Sequence, residues 1–416
     1  MIKTDLSKLS APFYEQKLDN GLNIVFIPRK SLVSSSLIYI PNGSFIHDET
    51  INSGKVFAGT SYLLKEMLMN SQCQESLSQQ LALADSFIDY SYTAFSISCK
   101  GDIFAPTKSF LSRILSPKFT ENDLDEFKKK NMASMQKNES SPIYQTKQGC
   151  LSNLYFSSPI SNDRIPSLSQ LQLIHNSSLS RFMEKYYQAP SMTVFLSGNM
   201  SVSEVSQKIN ELKAPSRLTC AGKQLSYHEN YEKAKENYTA IKGKSDSNYL
   251  SFGIKFQKRE KLYETYGQLL FSFYEVLIPA LITKNEIFLS GLSQIGADLV
   301  DCDFRQGGED ACILLTFRTL ESTKLVSFLT DYFTVCEKKT NAAELKKIQE
   351  QYYASAISSL ALAPSALTQF ARVYPDSLAF TGLVGNVMRL SYTNLKSFLS
   401  EMDGFVKSAC FLRKEL

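Results

Sequence analysis

The sequence predicts an α+β chain of two homologous α/β-sandwich domains, each a mixed, mostly antiparallel sheet with helices packed on it. Three observations carry this. Short runs rich in Val, Ile, Phe and Tyr, bounded by Gly, Pro and Asn, take turns with longer stretches of helical periodicity. The order of those elements in the first half returns in the second, without strong residue identity between the halves. At 416 residues, 43% apolar and 21% charged, the chain is too long for one ordinary core and has the composition of a globular protein. The expected boundaries are a domain over 1–212, a polar, Lys-rich linker with an entering strand over 213–247, and a second domain over 248–416.

Asp19-Asn20-Gly21 is a hairpin turn feeding the β-run Leu22–Ile27, which Pro28 closes. A second strand covers Ser35–Ile40 and ends at Pro41-Asn42-Gly43-Ser44. Gly59–Asn70 reads as a short amphipathic helix capped by Thr60 or Ser61, with Leu63, Leu64, Met67 and Leu68 on its apolar stripe. A second helical pattern spans Gln74–Asp85, and Phe87–Cys99 alternates with a phase change, as paired strands do. Helices follow over Thr107–Ser116 and from Thr120 onward, the latter with acids in its first turn and a break at Ser141-Pro142. A further helix runs to about Phe156, and others begin at Ser167 or Ser169 and at Ser177. Met192–Leu196 is a strand and Val202–Leu212 a helix.

The second half repeats this plan. Tyr249–Phe256 is a strand, Glu264–Ile282 a long apolar helix, and Asp298–Phe304 with Ala311–Thr319 a strand pair. Thr323–Lys338 and Ala342–Ser359 are helices, and Thr393–Met402 is a closing helix.

Charge and composition exclude several functions. A net charge of +4 over this length leaves no concentrated basic patch for nucleic acid, and Lys128–Lys130 sits behind four acids as a solvated helix face. No window approaches 18 uninterrupted apolar residues, so no membrane span is expected, and no apolar leader opens the chain. The eight cysteines are irregularly spaced and form no C-x-x-C. Cys99 and Cys312 lie in strand-like runs as small hydrophobes, and a cytoplasmic location is expected. His47, His175 and His228 lie far apart in sequence, no pair has helical ligand spacing, and each reads as an ordinary loop or surface residue. No G-x-S-x-G, Cys-His pairing or phosphate loop is present, and Gly307-Gly308 reads as a hairpin turn.

The chemistry-bearing stretch is Gly59–Asn70. Opposite its apolar stripe, Tyr62, Lys65 and Glu66 stand at i, i+3 and i+4 and share one patch. A metallopeptidase helix of the H-x-x-E-H kind uses this geometry, with two imidazoles gripping zinc beside a carboxylate base. Here the three places hold a phenol, an ammonium and a carboxylate.

In layout the chain resembles the pitrilysin (insulinase-like, inverted zincin) peptidases. Leu18-Asp19-Asn20-Gly21-Leu22 is similar to that family's L-x-N-G-L opening, and Asn42-Gly43-Ser44 with Asp48-Glu49 to its G-S-x-x-E turn. Gly59–Met69 falls on G-x-x-H-F-L-E-H-M-L-F, Phe119–Pro142 on the second-site helix, and Ser167–Glu204 on the closing segment of the first domain. The resemblance implies the LuxS/processing-peptidase-like fold. Carried over position by position, it places the first zinc histidine on Tyr62, the base on Lys65, the second histidine on Glu66, the third ligand on Ser134 and an auxiliary acid on Phe127. All five differ, so the resemblance implies no catalytic residue, no metal and no cofactor in this chain. The family's substrate-holding Arg and Tyr would fall near Ile295-Gly296-Ala297-Asp298-Leu299, where only the Gly agrees; Arg305 and Arg318 are the substitutes nearby.

Two functions are consistent with this. In the first, the chain is a non-catalytic subunit of a heterodimeric zinc peptidase that completes a peptide-binding chamber for a zinc-bearing paralogue, in peptide or bacteriocin precursor processing. In the second it is a structural or peptide-binding scaffold without a proteolytic partner, alone or as a homodimer. Text rich in Lys, Ser and Asn suits a low-GC bacterial source.

Overall fold

In a computed structural model of the chain, the structure describes residues 13–43, 49–117, 119–155, 158–213, 237–256, 276–307, 310–334, 338, 340–361, 363–373 and 380–414. The turn at Asp48, the body of the 213–247 linker and most of the long helix expected over Glu264–Ile282 lie outside them, as do His47 and His228.

The first half opens with β1 (Tyr14–Lys17) and β2 (Asn23–Pro28), joined by the Asp19-Asn20-Gly21 turn, then β3 (Ser34–Ile40) and a small hairpin of β4 (Glu49–Ile51) and β5 (Gly54–Val56). Next come α1 (Thr60–Leu68), α2 (Ser71–Gln79), β6 (Ala82–Ile88), β7 (Thr93–Cys99), α3 (Phe104–Leu115), α4 (Glu121–Glu139) and α5 (Pro142–Leu154). It closes with α6 (Leu168–Leu173), α7 (Asn176–Tyr186), β8 (Thr193–Gly198) and α8 (Val202–Lys208). The second half has β9 (Asn237–Gly243), β10 (Tyr249–Lys255), α9 (Ile278–Lys284), α10 (Glu286–Gln294), β11 (Ala297–Gly307) and β12 (Asp310–Thr319). Then follow α11 (Ser322–Thr334), α12 (Ala342–Ala361), α13 (Ala363–Val373), α14 (Phe380–Arg389), α15 (Tyr392–Glu401) and β13 (Val406–Lys414).

The two sheets have one topology. The first runs β1-β2-β8-β3-β7-β6, and the second, read from its other edge, β9-β13-β10-β12-β11. In each, one parallel pair (β2 with β8, β9 with β13) is followed by antiparallel neighbours only. β3, β7 and β6 therefore correspond to β10, β12 and β11. The mixed, mostly antiparallel sandwich and its duplication stand as expected from the order of elements.

The chain folds into two compact units, and neither follows the chain halves. One comprises Met1–Ala133, Arg164–Leu225 and Ser355–Thr381; the other comprises Ser134–Asp163, Ser226–Ala354 and Gly382–Leu416. In the first, α13, from the second half, packs on β3, β8 and β7, with Leu367 and Ala371 buried against Val25, Ile27, Leu37, Tyr39 and Phe195. In the second, α5, from the first half, packs on β13, β10 and β9. Since β3 and β8 correspond to β10 and β13, each sheet receives the equivalent helix of the opposite half. The crossings fall inside the equivalent long helices α4 and α12.

Local chemistry explains most element ends. Ser167, Ser201 and Ser391 close capping boxes at α6, α8 and α15. Pro142 stands in the first turn of α5, where a missing N–H matters little. Four expectations change. Thr60 and Ser61 do not cap α1: the N-cap is Gly59, with φ +88°, while the two hydroxyls donate to Phe57 O and Gly43 O. The helix expected to reach Asp85 stops at Gln79, and Leu81, with φ +54°, turns the chain into β6. Val202–Leu212 is α-helical only to Lys208. The chain ends in a strand after its last helix: β13 lies between β10 and β9 in the second sheet.

Candidate functional site

The site is built on α1. Its start needs glycine twice over. Residue 59 has φ +88°, and a Cβ there would stand 2.4 Å from Pro166 Cβ. Leu63, Leu64, Met67 and Leu68 are buried and anchor the helix by one face. Its last turn is tied down by Arg113, whose Nε donates to Leu68 O (3.0 Å) and whose Nη2 donates to Asn70 Oδ1 (2.8 Å). The rotation of α1 is thereby held, and with it the direction of Tyr62, Lys65 and Glu66.

These three side chains close on one another. Lys65 Nζ lies 2.5 Å from Glu66 Oε1 and 5.1 Å from the centroid of the Tyr62 ring. The Lys65 side chain is 9% exposed and that of Glu66 33%. A carboxylate in the place of the second imidazole is thus already paired with a resident ammonium.

The donor set does not fit zinc. A dication about 4 Å from an ammonium meets a repulsion on the order of 8 kcal/mol at an effective dielectric of about 20. A full structural zinc site releases only about 10–16 kcal/mol. A phenol and one paired carboxylate are too few and too hard a set to overcome that. Among the described residues, no group of three or more His, Cys, Asp and Glu side chains is gathered for a metal ion. Lys65 also cannot act as the base, because an ammonium has no lone pair with which to take a proton from water.

A cavity of 370 Å³ opens beside this cluster, between α1 and the first part of α4. Glu66, Met67, Phe119, Asp123, Glu126, Phe127 and Asn131 are among its walls. Phe127, where the resemblance would put the auxiliary acid, shares a cavity with Glu66 but brings a ring instead of a carboxyl. Asp123 is engaged locally: it accepts from the N–H and hydroxyl of Thr120 (both 2.7 Å), which hold its carboxyl below the ordinary range. Ser134, where the resemblance would put the third ligand, is exposed on α4. The structure brings Tyr62, Lys65, Glu66 and Phe127 to one place.

The arginines considered for substrate holding are engaged elsewhere. Arg305 is 2% exposed; its Nε donates to Asp303 Oδ2 (2.9 Å) and its Nη1 to Asn162 O (3.0 Å). It ties the segment after α5 to β11 and has no free face for a peptide. Arg318 is exposed and pairs with its cross-strand neighbour Asp298 (2.9 Å). Gly296, the one matching position of the expected run, has φ +65° and ends α10 ahead of β11. Sequence reading missed the Lys65–Glu66 contact. The i, i+3, i+4 spacing put the three residues on one patch, but adjacent helix positions do not ordinarily face each other.

Comparison with known proteins agrees with this fold. The model of the family described as peptidase M16 inactive domain matches residues 174–274. The uncharacterized zinc protease YmfH of Bacillus subtilis is 21% identical over 222 residues, and the alignment spans about half of each protein (51% of both). The peptidase M16 inactive domain from Pseudomonas fluorescens superposes with a TM-score of 0.77 at 15% identity, covering 97% of this chain and 98% of that one. The periplasmic protease PqqL from Escherichia coli gives 0.71 at 11% identity, covering 97% of this chain but 48% of that longer one. The chain has the fold of these M16 structures, which match it over 97% of its length.

Proposed function

From a chain with the M16 peptidase fold and no zinc-binding donor set at its α1 positions, we propose a non-catalytic subunit of a two-chain zinc peptidase. The chain completes the peptide-binding chamber, and a zinc-bearing paralogue cuts. The observation that carries this is the contact of Lys65 with Glu66. It is a formed, half-buried cluster standing where a cleaving chain keeps its metal open. The length match with PqqL supports a partner: nearly the whole chain covers about half of that protease, leaving room for a second piece of similar size.

The surface that would hold the peptide in this reading is the free edge of β6. That strand pairs in full register with β7 on one side, and the described residues give it no neighbour on the other. A row of unpaired N–H and C=O groups binds an extended chain as an added strand. Leu81 and Leu83, 86% and 78% exposed, stand at its start as apolar contacts for such a chain. Peptide or bacteriocin precursors are the substrates we assign to the pair, and the cytoplasm its location. Among the described residues, no helix is long and apolar enough to cross a membrane.

The test is co-expression with a zinc-bearing paralogue from the same genome, followed by size-exclusion chromatography, metal analysis and peptide-cleavage assays of each chain alone and together. The expected result is a heterodimer, cleavage that needs the paralogue, and no stoichiometric zinc in this chain. Zinc binding and cleavage by this chain alone would overturn the proposal. Absence of any complex would replace the subunit with a scaffold, alone or as a homodimer.

A further inference from the structure

We infer that Arg29 is an anion-binding residue whose Nε and Nη2 together take one carboxylate. Both atoms are buried, and neither has a hydrogen-bond partner among the described residues. They are the two nitrogens of the side-on fork of a guanidinium, whose parallel N–H bonds match the two oxygens of a carboxylate.

The position of Arg29 is set by backbone. It directly follows β2, its N–H donates to Gly198 O at the end of β8 (3.0 Å), and its carbonyl accepts from Ser31 N–H (3.0 Å). Strand alternation puts position 29 in phase with Val25 and Ile27, which belong to the apolar cluster with Tyr39, Phe195 and Leu367. The residue as a whole is half-buried, so part of the side chain reaches the surface. Burial pulls the guanidinium below its ordinary value, and no charged group among the described residues offsets this.

Two other arginines show what the fold does when an arginine is structural. Arg305 meets Asp303 and Asn162 O, and Arg113 meets Leu68 O and Asn70. Arg29 has no such partner for its fork among the described residues, which leaves the two donors to a bound anion. A single water has only two lone pairs at one point and cannot match two parallel donors as a planar carboxylate does. The carboxylate can belong to a free small acid or to a peptide. The inference stands apart from the peptidase-subunit reading, because it concerns neither α1 nor a partner chain.

The experiment uses the full chain as wild type, Arg29→Lys and Arg29→Met. Thermal unfolding is followed in sodium acetate against sodium chloride at equal ionic strength. A second arm measures binding of peptides without acidic side chains that end in a free carboxylate or an amide. The expected result is a saturable rise in wild-type Tm, about 3 °C at ten times the Kd, on acetate alone. Lysine keeps the charge without the fork, so Arg29→Lys loses the response, as does Arg29→Met. A preference for the free-acid peptide that disappears in Arg29→Lys assigns the carboxylate to a peptide terminus; an acetate response without that preference assigns it to a free acid. If wild type responds to neither probe, or Arg29→Lys responds as wild type does, the inference fails. Isothermal titration of wild type with acetate measures the same binding without any variant.

Discussion

Leu81 and Gly296 occupy equivalent places, the left-handed residue between a helix and an edge strand, with φ +54° and +65°. One is glycine and the other is not. An L-residue in that conformation costs about 1–2 kcal/mol, and glycine gives back about 0.5–1 kcal/mol of it through the unfolded state. Leu81 is 86% exposed, so its side chain contributes little packing in return. Leu81→Gly should therefore leave stability unchanged or raise it by up to about 1 kcal/mol. Gly296→Ala should lower it by about 1 kcal/mol, although Leu320 leaves room for a Cβ at 3.5 Å. Denaturant unfolding of both variants decides; the same sign for both would refute the account. On the subunit reading, Leu81→Gly also weakens peptide binding, which separates its role from its stability. At this scale the sequence was informative about α1: spacing alone put Tyr62, Lys65 and Glu66 together. It did not show that Arg305 is occupied, because one of its acceptors, the carbonyl of Asn162, lies far from it along the chain.

The helix α5 shows how an element chooses its place. Cys150, Leu151 and Leu154 are buried, yet much of its contact with the second sheet is polar or tight. Thr146, Ser251 and Thr316 form a hydroxyl chain (2.9 and 2.8 Å), Cys150 Sγ donates to Ser408 O, and Lys255 donates to Leu154 O. Close approach depends on two glycines. A Cβ at Gly149 would stand 2.4 Å from Cys410 Sγ, and one at Gly253 would stand 2.5 Å from Leu154 Cδ1. On an exposed helix Gly→Ala gains about 1 kcal/mol; here Gly149→Ala should lose about 1–3 kcal/mol by overpacking. Adding Cys410→Ala should recover part of that, a coupling of at least about 0.5 kcal/mol in a double-mutant cycle. A stabilising Gly149→Ala would show that α5 does not press on β13. The buried thiols of Cys150 and Cys312 are pushed up in pKa mainly by desolvation, as expected of packing residues, not of reactive ones.

At the scale of the molecule, the duplication and the exchanged helices make each unit depend on both halves of the chain. Truncation after residue 212 should therefore give no folded first unit, because α13 is missing from its core. Proteolysis and circular dichroism of the fragment check this. The second unit also carries an acid-sensitive cluster, in which Asp303 accepts from Lys147 (2.7 Å) and Arg305 (2.9 Å). Burial works to raise the Asp303 pKa, but Arg305 and Lys147 outweigh it, and the carboxyl stands below its ordinary value. A depressed folded pKa means stability that is present above the unfolded value of about 3.9 and lost as pH falls through it toward the folded one. Asp303→Asn should cost about 2 kcal/mol at pH 7, because Arg305 loses its carboxylate acceptor while Lys147 keeps Asp301 (2.9 Å), and should flatten the loss of stability below pH 4. An unchanged acid profile would place the sensitivity elsewhere.

The order of most strands and helices and the duplication of that order were determined by sequence alone. Each rests on periodicity or residue type within one short stretch, which local sterics and side-chain chemistry settle. The tertiary structure alone decided that α5 and α13 serve the opposite sheets and that the chain ends in a strand between β9 and β10. It alone decided that Lys65 closes on Glu66. The helix and strand placements depend on which surfaces bury one another across 100 residues or more, and the Lys65–Glu66 contact depends on how the two side chains turn on a helix held from outside, so neither is written in a local stretch.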